Sequence, residues 1–154
     1  MNRRPQGDSP SEQLIKYQAH KRANSALNHF IAQGNLIAAY VIAYSIFEDK
    51  VKAFFIVRMR DVEGNPDWKG SKFNASVKRQ LEYLRDTNAI KRNLFNKAAK
   101  ATQRRNFYIH AAMYNVDFFT MEQVTEVVEI RNELARLLQA EKRALRKARS
   151  QQGL

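Results

Sequence analysis

Leu36-Ile37-Ala38-Ala39-Tyr40-Val41-Ile42-Ala43-Tyr44-Ser45-Ile46-Phe47 is the stretch on which the fold turns. It is apolar nearly all round, and Glu48, Asp49 and Lys50 follow it at once. A bilayer-spanning helix needs about 20 apolar residues, so a run of about a dozen reads as a helix buried in protein. Continued to about residue 61, it is the central helix of an all-α fold, the one the others must surround.

The flanks read as further helices. Gly34 stops a first helix and Asn35 starts the central one. That first helix begins at a Ser9 or Ser11 cap, has Pro10 pre-set for a helix start and Glu12 in its first turn, and reaches about Gln33. Its apolar side is Leu14, Tyr17, Ala26, Leu27, Phe30 and Ile31. On the other flank, residues 62–73 hold two Gly and one Pro and predict a loop. Asn74 then caps a third helix carrying Val77, Leu81 and Leu84 at helical spacing, and Asp86-Thr87-Asn88 predicts a break. A fourth helix covers about 89–114 with a kink expected near Arg104. Thr120-Met121-Glu122-Gln123 is a capping box opening a last helix with Val124, Val127, Val128, Ile130, Leu134, Leu137 and Leu138 on its face. The whole predicts an antiparallel bundle of about five helices over 10–140, after a disordered segment 1–9 and before a basic extension 141–154.

Composition narrows the function. The 154 residues carry a formal net charge of +12, which bears on partners rather than on fold. A phosphate backbone is the first candidate partner and an anionic membrane surface the second. Part of the excess sits in Lys142, Arg143, Arg146, Lys147 and Arg149, which read either as a nucleic-acid contact or as a solvated helix end. Cysteine is absent, which excludes a thiol nucleophile, a disulfide framework and a Cys-based zinc site, and suits a reducing cytoplasm. No apolar core of a signal peptide stands at the N-terminus, so a cytoplasmic location with no membrane partner is expected. There is no Gly-rich phosphate loop, no setting for a Ser nucleophile and no carboxylate cluster able to hold Mg²⁺. Kinases, hydrolases and metal-dependent nucleases are set aside on that ground, and neither a cofactor nor a metal is expected. His20 and His29, nine apart on one helix, lie on different faces and do not make a metal site.

One motif points to chemistry: Arg104-Arg105-Asn106-Phe107-Tyr108-Ile109-His110. An Arg some residues before a His is common, and Arg22 before His29 is another case. Asn directly after the Arg is the stricter condition. Arg92-Asn93 and Arg131-Asn132 have no His behind them, which leaves Arg105, Asn106 and His110. RNA can be cut by its own 2′-hydroxyl attacking the adjacent phosphorus. The reaction needs a proton moved near neutral pH, which an imidazole does, its ordinary pKa being about 6.5. It also needs positive charge on the phosphorane oxygens, which a guanidinium supplies in fixed fork geometry. Asn106 can hold the phosphate or orient the His. On a straight helix Arg105 and His110 point about 140° apart. A shared site therefore calls for a twofold dimer.

An all-α bundle, an acidic residue on the second helix, Arg-Asn-x-x-x-His on a later helix and an N-capped last helix together resemble the HEPN superfamily. The resemblance covers about 12–140. It implies a metal-independent endoribonuclease acting as a homodimer, often in toxin–antitoxin, abortive-infection or anti-phage systems, with an antitoxin or other protein as partner. It implies catalytic Arg105 and His110 with Asn106 as their polar companion. Some members carry a Tyr two residues after the His; Ala112 stands there in this chain.

Glu48 lies on the stripe Val41, Tyr44, Val51, Phe55. Two readings stand: a group that positions Arg105 or His110, as the resemblance implies, or an i, i+4 pair with Lys52. Tyr108 beside Arg104 reads as a base-stacking pair, with Phe107 in the core. Trp68 and Phe73, near Lys69 and Lys72, read as packing the loop onto the bundle, with nucleic-acid contact as the rival. Against the nuclease stand two other readings: a non-catalytic basic helical protein that binds nucleic acid, phage- or virion-associated, and a module that docks a partner protein.

Overall fold

The computed structural model describes residues 9–65, 76–115 and 117–153. Residues 1–8, the loop residues Trp68, Lys69, Lys72 and Phe73, and the expected Asn74 cap lie outside the described residues. The described chain is an all-α bundle with no strand among those residues: α1 (Pro10–Ala32), α2 (Leu36–Val57), α3 (Val77–Asp86), α4 (Arg92–Tyr114) and α5 (Met121–Gln151).

The dozen apolar residues behave as their pattern demands. α2 buries Tyr40, Tyr44, Ile46, Phe47, Val51, Phe54 and Phe55 on several sides at once. It packs against α1, α3 and α5, while α4 closes on α3 and α5. Burial of a large apolar side chain contributes about 1.5–3 kcal/mol relative to exposure, so α2 carries the largest share of the core.

The helix ends follow the local chemistry. Ser9 rather than Ser11 caps α1: its hydroxyl accepts from the Glu12 N–H at 3.3 Å, and the Glu12 carboxylate accepts from the Ser9 N–H at 2.8 Å. Gly34, at φ +71°, turns the chain from α1 to α2, and Asn35 Oδ1 accepts from the Ala38 N–H at 3.2 Å. Ser76 caps α3 through the Arg79 N–H. At α5, Gln123 Oε1 accepts from both the N–H and the hydroxyl of Thr120, at 2.8 and 2.7 Å.

Three expectations are corrected. α2 ends at Val57 and passes into a π-helical turn, Arg58–Val62, instead of continuing as α-helix to about 61. The turn buries Met59 and places the Arg58 guanidinium against Thr87 and the Glu141 carboxylate. α4 starts at Arg92, not near 89, because Asn88 takes a left-handed conformation, φ +60°, and ends the helical path. It then runs as one α-helix through Arg104 to Tyr114. In α1, Leu14 and Tyr17 are 55% and 65% exposed, so the apolar side is buried only from Ala23 onward. No described element covers those first turns. The basic stretch after 140 continues α5 as helix, with Leu145 packed against the core.

Candidate nucleic-acid interface on the fourth helix

α4 meets the bundle along Leu94, Ala98, Ala101, Arg105, Tyr108 and Ala112, a three–four spacing that places one residue per turn on one stripe. Leu94 and the three Ala are buried. Arg105 occupies a position in this same stripe, which is why it reaches α2. Its guanidinium carbon lies 5.1 Å from the centre of the Tyr44 ring, a cation–π geometry, and its Nη1 donates to Asn106 Oδ1 at 3.4 Å. Burial pushes the Tyr44 phenol up from its usual range; a hydrogen bond with Thr102 and the Arg105 charge pull it down, and the Glu48 charge adds to the rise.

Glu48 is half-buried one turn beyond Tyr44. Among the described residues it forms no ion pair with Lys52, Arg105 or any other cation. The expected i, i+4 pair with Lys52 is thus not formed, and Glu48 makes no direct ion pair with Arg105. What it shares with Arg105 is Tyr44, on whose phenol the two charges act in opposite senses. Arg104 points the other way and pairs with Glu126 of α5 at 3.5 Å, so part of its charge is already answered.

His110 sits on the solvent side of α4, about 140° around the helix from Arg105. One chain does not bring the two together. Asn106 is also exposed. Around His110 the surface is unusually apolar: Phe107 is 65%, Met113 75% and Tyr114 92% exposed.

The two neighbouring aromatic residues exchange the roles expected of them. Tyr108 is half-buried, its ring 5.7 Å from those of Tyr40 and Phe118 and 6.2 Å from that of Phe119. Phe107 is the open ring. Seven residues separate Tyr108 from buried Ala101, so the spacing in the sequence already placed Tyr108 on the inner stripe and Phe107 off it. Lys142, Arg143, Arg146 and Lys147 are all exposed along the end of α5. No described helix is long and apolar enough to cross a membrane.

No protein-family model matches the chain, and neither a curated protein nor a solved structure matches it.

Proposed function

We propose that the protein is a metal-independent endoribonuclease of HEPN type whose site is completed by a second copy of the chain. The observation that carries this reading is the surface around His110. Asn106 and His110 are open to solvent, and the side chains bordering them, Phe107, Met113 and Tyr114, are large, apolar and left uncovered by a single chain. Pairing two α4 helices about a twofold axis would cover that apolar surface and bring Asn106 and His110 of both protomers into one cleft, with the exposed Arg105 side chains reaching its edge from beside the Tyr44 rings. Arg105 is held ready by the Tyr44 ring and by Asn106.

In that cleft the 2′-oxygen of RNA attacks the adjacent phosphorus and the 5′-oxygen leaves, giving a 2′,3′-cyclic phosphate and a 5′-hydroxyl. His110 moves the proton, taking it from the attacking oxygen or giving it to the leaving one. Arg105 neutralises charge on the phosphorane oxygens as it grows. The biological role that goes with such an activity is that of a toxin or anti-phage effector, restrained in the cytoplasm by a protein partner that covers the cleft.

The purified protein is expected to cut RNA in EDTA and leave cyclic phosphate ends, and His110→Ala to lose at least a hundredfold in rate with an unchanged circular dichroism spectrum. Cleavage that needs Mg²⁺, or that survives in His110→Ala, leaves the non-catalytic nucleic-acid binder in its place. The exposed cations at the end of α5 would then be its main contact.

A further inference from the structure

Away from α4, positive groups from three helices gather, with Asp49 of α2 acting against them. Arg131 on α5 donates through Nη1 to Asn24 Oδ1 of α1 at 2.7 Å, and Asn24 in turn donates to the His20 carbonyl at 3.0 Å. The Arg131 Nε–H is buried and has no partner. Lys142 stands eleven residues further along α5, three turns on and nearly on the same line, roughly 16 Å away. Lys50 of α2 completes the group, half-buried. Among the described residues none of these four side chains is in an ion pair. Asp49 is the nearest acid, exposed, and only partly offsets the charge.

The groups are close enough to oppose one another. Burial lowers the proton affinity of Lys50, and Lys142 and Arg131 lower it further. His20 is lowered by burial, then by Lys50, with Arg131 and Lys142 adding to it. A fold gains nothing by collecting half-desolvated like charges, because both the desolvation and the mutual repulsion cost stability. An anion seated among them reverses both. Lys50 lies about 120° around α2 from Tyr44, so this surface is not the one that holds Arg105.

We propose that His20, Lys50, Arg131 and Lys142 form a groove that grips the phosphodiester backbone of RNA outside the cleavage site. The line from Arg131 to Lys142, roughly 16 Å, is long enough for more than one consecutive phosphate, and exposed Lys142 with part-exposed Lys50 and His20 are the groups a backbone phosphate can reach. The inference deepens the ribonuclease reading by naming a second contact with its substrate. Of the basic residues near the end of α5, it takes Lys142 alone.

The test uses the full-length protein and a 2′-O-methyl oligoribonucleotide, which the proposed reaction cannot cut. Binding is followed from low to high salt for the wild type, Lys50→Met, Lys142→Gln and the double variant. Each single change is expected to weaken binding and make the log–log salt slope shallower by about 0.7, the value for one phosphate contact on a single strand. Without oligonucleotide, the same variants should melt at or above the wild-type temperature, since a repulsion is removed; that separates lost binding from lost folding. Wild-type affinity and slope in the double variant would overturn the proposal. So would a melting shift with inorganic phosphate, or loss of binding to phosphatidylserine vesicles, in variants that still hold the oligonucleotide normally. If the groove variants lose binding while wild-type protein cuts no RNA, the groove stands and the ribonuclease reading falls.

Discussion

Tyr40 shows how a single atom can sit against its surroundings. Its ring is fully buried and stacks among Tyr44, Tyr108 and Phe119, yet its hydroxyl is buried with no hydrogen-bond partner. Burial, with Tyr44 and Tyr108 adjoining, drives the phenol strongly up, so the group is held neutral and unsatisfied. Tyr40→Phe keeps the ring and removes the orphaned oxygen. Stability should be unchanged or higher by about 1 kcal/mol, read as a later urea midpoint at constant m-value. A loss of that size would mean the hydroxyl has a partner after all. The site was legible at this scale in part. The spacing of Arg105 and His110 on a helix fixed their angular separation, and the structure keeps it. The contact of Arg105 with Tyr44 was not legible, because it joins residues of two helices whose packing no local pattern specifies.

Helix boundaries were legible wherever a side chain bonds to its own backbone neighbourhood. Ser9, Asn35 and Gln123 act within three residues of themselves, so their sequence context was enough. The π-helical turn after α2 was not, because besides Glu63 the partners of Arg58 are distant in the chain. Arg58 reaches Thr87, 29 residues on, and Glu141, 83 residues on. This half-buried fork ties the end of α2 to the link before α4 and to the far part of α5, with both side chains of the Arg58–Glu141 pair less than a quarter exposed. Removing Glu141 leaves the Arg58 guanidinium with Glu63 at 3.4 Å and with Thr87, so the loss is that of one charged hydrogen bond and not of a stranded charge. Glu141→Ala is expected to lower unfolding stability by about 1.5–3 kcal/mol, the range for a hydrogen bond to a charged group. Amide exchange should quicken from Lys142 to Gln151 more than in α2. Equal exchange across α5 in the two proteins would show that the helix end does not depend on the pair.

The net charge of +12 was plain from composition, but not the way the fold concentrates part of it. His20 reports on that concentration. Burial and then the Lys50 charge lower its proton affinity below the ordinary 6.5, with Arg131 and Lys142 of α5 acting in the same sense and Asp49 of α2 against it. Between the lowered value and 6.5 the unfolded chain holds more protons than the folded one, so stability must rise with pH across that window. Below the folded value the full penalty of the charged imidazole applies; above 6.5 it is gone. Urea unfolding followed from about pH 5 to about pH 7.5 should therefore show a rise that is complete by 6.5, and His20→Gln should flatten it. Lys50→Met should shrink it without abolishing it, because desolvation is the larger cause. A bound oligonucleotide should work in the opposite direction, since phosphates beside His20 favour its charged form. In its presence the same titration should lose its slope or reverse it, and a slope unaltered by saturating oligonucleotide would place the bound backbone somewhere other than this cluster.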